Sequence, residues 1–391
     1  MIRVKKSSKF LFFILLVTKI PAYAQDQSGL ISPVVTQNIN LQTTSSFDVF
    51  SPKPRTDMRR LDYQLWDDVL QNIVINFGLS TRIRATRPQQ STGTRVAYGH
   101  TSPYRLEGSR VAFGFLNDNY RDVLTHYRED LTSIANQMDI TRLSKDEQLA
   151  FWFNLHNVAL IEKISRAYPE DEPSTLSFDI NGSEILLDDF KFIEIRGRNL
   201  SLKNIREDIV YPNWSDSRVI YGFFRGDIGS PRMLRLAYTA NNLEYRLNGN
   251  ANEFVNSLRG FHESSRARKV SKIYDEAKRF YFQNWDLDLE EHLRKYAEGE
   301  TLKELSVSKP FELDRYETKI ADLSGGRRRA SGAYIDGGGN LPPETARLLS
   351  EVRQKRDILR RRGGSTGLNS GYVIIEDIYT DPGLPTGSSI D

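Results

Sequence analysis

Cysteine is absent from the 391-residue chain. Its absence excludes disulfide bonds, a lipidated N-terminal cysteine, thiolate metal ligands and thiol catalysis, so stability must come from packing. Long apolar runs are also scarce: the run at residues 10–17 is well short of the about 20 residues that span a bilayer. The five histidines show no zinc-ligand spacing. We therefore expect no metal, no cofactor and no integral membrane protein.

The first 24 residues have the order of a secretory signal peptide. Four basic residues precede the apolar run, and the small-residue motif Ala22-Tyr23-Ala24 precedes Gln25. This order predicts cleavage after Ala24 and a secreted or periplasmic mature protein. Removing five basic and no acidic residues takes the formal charge from +3 to −2. We expect no nucleic-acid partner, because the mature chain carries no excess of positive charge.

Composition divides the remaining chain into three parts. Residues 25–56 are rich in Ser, Thr, Gln, Asn and Pro, which predicts a disordered linker. Residues 57–305 combine helical periodicity with short apolar runs and predict one helix-dominated α+β domain with a small antiparallel sheet. Residues 306–391 contain Gly- and Arg-rich runs, which predict a flexible tail with one helix at 343–359 and one strand at 372–375.

Three local patterns predict individual elements of the domain. Ser144 and Glu147 have the spacing of a capping box and begin the most apolar helix of the chain. Because apolar residues cover most of its circumference, this helix is predicted to lie in the core. Asn181-Gly182 between two short apolar runs predicts a β-hairpin, since both turn positions need a positive φ. Residues 218–224 are predicted to form a buried strand.

Four stretches of the chain resemble an exported family known as domain of unknown function 547. Residues 146–157 read DEQLAFWFNLHN, which is similar to the QLAFWINLYNA signature of that family. Residues 188–206, 216–223 and 237–243 resemble three further segments of the family. The resemblance implies that the domain has the fold of this family.

The chain departs from the family pattern at two positions. Ile220 stands where typical members have a histidine, and Ser230 stands where they have a cysteine. A cysteine with a nearby imidazole would suggest a thiolate nucleophile and its base. Both are replaced here, and a serine could act only if another base activated it. The resemblance therefore implies a member that has lost the candidate thiol site.

The sequence leaves a short set of candidate site residues. His156 could activate Ser230, with Asp227 as the third member of a catalytic group, although a hydrogen-bonded core histidine is the favoured interpretation. Two asparagines lie three residues apart on one helix face and could orient a ligand or bond buried backbone, which is favoured. The candidates for ligand binding are Asn154, Asn157, Arg218 and Arg225.

Two functions follow as alternatives. The favoured one is a non-catalytic binding or scaffolding module of the cell envelope, with an unknown envelope ligand or protein as partner. The other is a serine-dependent hydrolase or transferase acting on envelope peptide or glycan. A distance below about 3.2 Å from Ser230 Oγ to a histidine nitrogen would favour the enzyme. The Arg-rich tail could also make weak contact with an anionic membrane, although a solvated tail is favoured.

Overall fold

A computed structural model describes residues 47–88, 99–326 and 342–361. The predicted signal peptide, most of the predicted linker and the predicted strand at 372–375 lie outside the described residues. The described chain has an α+β fold in which helices dominate, so the predicted fold class is confirmed. No helix in these three ranges has the length and apolar character needed to cross a membrane.

Ten α-helices and nine short strands occur in the described ranges. The helices are α1 (Gln64–Ile73), α2 (Asp118–Gln137), α3 (Lys145–Ala167), α4 (Tyr211–Asn213, after a π-helical turn at Asn204–Val210), α5 (Leu243–Val255), α6 (Lys272–Glu276), α7 (Lys278–Tyr281), α8 (Trp285–Tyr296), α9 (Gly299–Leu305) and α10 (Pro343–Arg361). The strands are β1 (Val74–Asn76), β2 (Ser109–Val111), β3 (Ser177–Ile180), β4 (Ser183–Leu186), β5 (Ile193–Ile195), β6 (Arg198–Leu200), β7 (Phe261–Glu263), β8 (Arg268–Val270) and β9 (Phe311–Leu313).

The strands form small, separate sheets. Three antiparallel pairs join β1 to β2, β3 to β4 and β5 to β6. The remaining sheet has the order β7-β8-β9, in which β9 runs parallel to β8. The β3–β4 turn has φ 54° at Asn181 and 83° at Gly182, so the predicted hairpin is confirmed.

Helix α3 lies at the centre of the domain. Its N-terminus is capped by Ser144, whose hydroxyl accepts the Glu147 N–H at 3.2 Å. Side chains on every face of the helix are buried, as the sequence predicted. Phe153 packs on Phe223 and Tyr238, with ring centroids 4.8 and 4.7 Å apart. This packing fixes the segment around residue 223 against α3.

The predicted strand at 218–224 is wrong. Residues Ser217–Gly222 form a 3-10 helix, which begins where the Asp216 carboxylate accepts the Arg218 N–H at 2.9 Å. Such local side-chain bonds give the backbone an alternative to a strand ladder. No strand of the described chain pairs with the segment. A methyl group on Gly222 would lie 2.2 Å from the Phe153 ring, so the turn approaches α3 too closely for any side chain there.

The boundaries of the ordered domain are wider than the sequence predicted. Phe50, in the predicted linker, is buried and packs edge-to-face on Trp152 at 5.5 Å. In the predicted tail, Ile320 and Leu323 are buried, and Ile320 forms an isolated antiparallel β-bridge with Asp227. Both segments bury apolar side chains. The average composition of each segment is polar, so it did not predict these buried residues.

Helix α10 has the predicted position, but it is docked rather than solvated. Leu348 and Val352, each 2 % exposed, pack in a cluster with Ile75, Phe77 and other apolar residues. Lys355 is buried and its Nζ donates to the Phe77 and Leu106 carbonyl oxygens at 3.2 and 2.6 Å. The apolar face that a membrane contact would need is therefore covered by the domain. The prediction of a free tail is corrected for residues 343–361, whereas weak contact of the Arg-rich tail with an anionic membrane stays a prediction.

Candidate functional site

Ser230 lies next to backbone acceptors rather than a base. Its hydroxyl is buried and is within hydrogen-bonding distance of the Asp227 and Pro231 carbonyl oxygens, at 2.8 and 3.1 Å. No histidine of the described chain forms a hydrogen bond with it. The criterion that would favour a serine enzyme is therefore not met in this geometry.

His156 is held by two other side chains. Its Nε2 lies 3.1 Å from Arg206 Nη1, and because a guanidinium can only donate, Nε2 must accept. The proton then lies on Nδ1, which donates to Asn157 Oδ1 at 3.1 Å. Burial holds the pKa of His156 well below its usual range. The ring is a neutral acceptor for Arg206, and its lone pair is already engaged.

The two candidate asparagines connect α3 to the chain that crosses it. Asn154 donates to the Tyr238 carbonyl oxygen at 2.7 Å and accepts the Tyr238 N–H at 3.0 Å. Asn157 donates to the Gly222 carbonyl oxygen at 3.0 Å and accepts the Phe224 N–H at 3.1 Å. These bonds satisfy buried backbone groups that have no ladder partner. Both side chains thereby have structural roles.

Arg218 is saturated by neighbouring acceptors. Its guanidinium donates to the carboxylates of Asp216 and Glu244, with closest distances of 2.6 Å to each, and to Asn248 Oδ1 at 2.8 Å. Hydrogen bonds to these carboxylates raise its pKa. Arg218 does not line the pocket described next.

A pocket of about 210 Å³ lies between α3, the end of β4, residues 224–227 and α6. It brings together three of the predicted site residues, His156, Arg225 and Asp227, but not Ser230. Its remaining charged residues were not predicted as site residues, and they are Asp188, Asp189, Arg206, Lys272 and Glu276. Its apolar wall includes Leu160, Pro173, Leu187, Leu202 and Phe224.

Two ion pairs fix the charged wall of the pocket. Arg206 donates through both terminal nitrogens to Asp188, at 2.8 and 2.7 Å. Burial opposes ionisation of Asp188, but the charge and hydrogen bonds of Arg206 outweigh it and hold the Asp188 pKa well below its usual range. Arg225 Nη2 donates to Glu276 Oε2 at 2.7 Å. The bidentate contact fixes the orientation of the Arg206 guanidinium, and the contact with Glu276 fixes that of the largely buried Arg225.

Asp227 and Lys272 form no ion pair within hydrogen-bonding distance in the described residues. Asp227 Oδ1 accepts the Tyr316 hydroxyl at 2.7 Å. Burial raises the Asp227 pKa to about 7, although Tyr316, Lys272 and Arg225 favour the ionised form. Lys272 Nζ lies 4.1 Å above the Tyr316 ring and 3.7 Å from Glu276 Oε1. Neither distance is a hydrogen bond.

The sequence contained only part of the signal for this pocket. Asp188 and Arg206 lie in a segment that resembles the family, but nothing local indicated that they form a pair. Lys272 and Glu276 have the i, i+4 spacing of an ordinary helical ion pair. Only the fold places them opposite α3. Among the described residues, no group of three or more potential ligands could hold a metal ion.

Comparison with known proteins identifies the central part of the chain. Residues 140–255 match the model of a family described as a protein of unknown function, DUF547. The match confirms the resemblance that the motifs predicted. It spans α3 to α5 and includes His156, Arg206 and Asp227, whereas Lys272 and Glu276 lie beyond it. Neither the curated proteins nor the solved structures yielded a significant match.

Proposed function

We propose that the protein is a non-catalytic binding module that takes a small ligand into the pocket beside α3 and acts in the cell envelope after export. The observation that carries this proposal is the pocket itself, whose charged wall is fixed by Arg206–Asp188 and Arg225–Glu276. Preformed polar groups beside an apolar wall are typical of small-molecule sites.

The geometry around Ser230 supports binding over hydrolysis. A serine nucleophile needs a base within hydrogen-bonding reach. The Ser230 hydroxyl instead contacts carbonyl oxygens, and the His156 lone pair accepts from Arg206. A serine hydrolase or transferase would need both groups to exchange partners before reaction.

Fluorophosphonate labelling tests the absence of catalysis without knowledge of a substrate. We expect no labelling of the purified full chain. Stoichiometric labelling that disappears in both Ser230→Ala and His156→Ala would overturn the non-catalytic proposal in favour of the serine enzyme.

A matched pair of variants tests binding. Ser174 is exposed and lines the pocket, whereas its exposed neighbour Thr175 does not. Ser174→Trp should block the pocket and Thr175→Trp should not. In ligand-observed NMR with a library of anionic, cationic and neutral fragments, at least one chemical class should bind wild type and Thr175→Trp but not Ser174→Trp. Absence of any such class would contradict a pocket-binding function.

Export has its own test. Mass spectrometry of the protein secreted from a bacterial host should find Gln25, or its cyclised form, at the N-terminus. An intact Met1 on a membrane-bound product would contradict export by signal cleavage.

A further inference from the structure

Charge pairing leaves two pocket groups without a full partner. Asp188 pairs with Arg206 and Glu276 with Arg225. Asp189 Oδ1 lies 3.4 Å from Nζ of Lys203, a residue that does not line the pocket. Lys272 and Asp227 remain. When the buried Asp227 carboxyl is protonated, the three cations of the lining, Arg206, Arg225 and Lys272, equal its three carboxylates, Asp188, Asp189 and Glu276, in number. Because Asp189 also pairs with Lys203 beyond the lining, the cation left without a hydrogen-bonded carboxylate is Lys272.

The same two groups have unused hydrogen-bonding capacity. The three N–H groups of Lys272 donate to no residue in the described ranges, and its side chain is 42 % exposed. Asp227 uses Oδ1 to accept from Tyr316, which leaves Oδ2 to carry the proton in the neutral acid and to donate it. A cationic donor and a neutral O–H donor in one pocket suit an acceptor that is itself negatively charged.

The remaining wall sets the size and polarity of the rest of the ligand. Leu160, Leu187 and Leu202 contribute aliphatic surface. A cavity of about 210 Å³ has room for on the order of ten waters. An apolar stem of about six carbons would displace that water and bury aliphatic area.

We infer that the pocket binds a small monoanion, a carboxylate or phosphate on a short aliphatic stem, whose charged group contacts Lys272 and Asp227. This inference rests on the proposed binding function and names its ligand class. A cationic ligand would place its charge beside Lys272 and Arg225. Three of the four pocket acids that could accept it, Asp188, Asp189 and Glu276, are already paired with cations.

Four probes of one length test the class: hexanoate, hexyl phosphate, hexan-1-ol and hexylamine, titrated by isothermal calorimetry at pH 6. Hexanoate or hexyl phosphate should bind at least tenfold more tightly than the alcohol. The tighter of the two shows whether the pocket prefers a carboxylate or a phosphate. Tighter binding of hexylamine or hexanol, lost in Ser174→Trp, would overturn the anion inference while leaving the binding function in place.

Two variants test the contacts. Lys272→Met should weaken hexanoate or hexyl phosphate binding at least tenfold and Lys272→Arg should restore most of it. Lys303→Met, at an exposed lysine of α9 outside the pocket, is the control and should change nothing. Unchanged binding in a folded Lys272→Met variant would refute the assignment of Lys272.

The pH dependence tests Asp227. The charged groups that act on it are Arg225 of its own loop, Lys272 and Glu276 of α6 and the Tyr316 hydroxyl. If Asp227 binds the anion only when its carboxyl is protonated and donates a hydrogen bond, hexanoate affinity should fall about tenfold from pH 6 to pH 8. This is the factor expected for a pKa near 7. Asp227→Asn should bind equally at both pH values. A wild-type affinity that is constant, or that rises with pH, would overturn the role of Asp227.

Discussion

The docking of α10 can be tested by one buried leucine and one exposed isoleucine of the same helix. Leu348 is 2 % exposed and packs in the cluster that contains Ile75, Phe77 and Leu323, whereas Ile358 is 39 % exposed. Leu348→Ala removes buried methyl groups and leaves a cavity, which costs about 2–5 kcal/mol. Ile358→Ala should cost less than about 0.5 kcal/mol.

Limited trypsin digestion measures this difference at the bond that follows Lys355, which is buried in the docked helix. When opening is fast relative to cleavage, the cleavage rate follows the population of the open state. A loss of about 3 kcal/mol therefore raises the rate about 100-fold, since 1.4 kcal/mol corresponds to a factor of ten. We expect about 100-fold faster cleavage for Leu348→Ala and less than about threefold for Ile358→Ala.

The result that would refute the docking is clear. If both variants are cleaved at the wild-type rate, Leu348 is not buried. If the wild-type protein is cleaved as fast as a free peptide of residues 343–361, α10 does not dock in solution.

Three further perturbations have expected outcomes, each measured by urea denaturation. Glu253→Ala leaves the buried Arg259 without its hydrogen-bonded carboxylate and with Glu107 3.9 Å away, and it should cost about 3–5 kcal/mol. Asp122→Ala removes an exposed pair with Arg166 and should cost less than about 1 kcal/mol. Equal costs would contradict the burial. Gly222→Ala should cost about 1–3 kcal/mol because of the 2.2 Å contact with Phe153, whereas Gly249→Ala has 3.6 Å to its nearest neighbour and should be neutral or stabilising. Burial raises the pKa of Asp227 to about 7 in the folded protein, from about 3.9 in an unfolded chain. The native state therefore holds more protons between these values, and stability falls as pH rises through them. Relative to Asp227→Asn, wild type should lose about 2–3 kcal/mol between pH 5 and pH 8, and parallel pH profiles would exclude the shift.

Short sequence patterns correctly predicted the elements whose structure depends on neighbouring residues. The cap at Ser144, the hairpin at Asn181-Gly182 and the short family motifs could be predicted because each signal lies within a few consecutive residues. The family match to residues 140–255 covers those motifs. The apolar circumference of α3 likewise indicated a helix surrounded by protein.

The errors arose where distant parts of the chain decide the structure. Residues 218–224 have the apolar composition of a strand, but Phe153 of α3 leaves no room for a side chain at residue 222. The tail was predicted to be flexible from its Gly- and Arg-rich runs. Its docked parts depend on a surface at Ile75 and Phe77 that lies far away in sequence.

The pocket could be predicted only in part for the same reason. His156, Arg225 and Asp227 were candidates because they lie in or near motifs. The rest of its charged wall comes from segments whose contact is created by folding, such as Asp188 with Arg206 and Lys272 near Tyr316. Single-sequence patterns carry no information about such long-range pairs.

Two isolated bridges join the segment that follows β9 to parts of the chain that are far away in sequence. Asp322 pairs with Val111 and Ile320 pairs with Asp227, so one late segment joins an early strand to the pocket loop. Contacts of such high sequence separation form slowly, and the chain must wait for them with apolar surface exposed. Ribosome-bound chains that end before residue 320 should therefore remain sensitive to protease, and full protection of such a chain would show that the late segment is dispensable. The family segment of residues 140–255 is therefore synthesised well before the late segment that bridges to its Asp227.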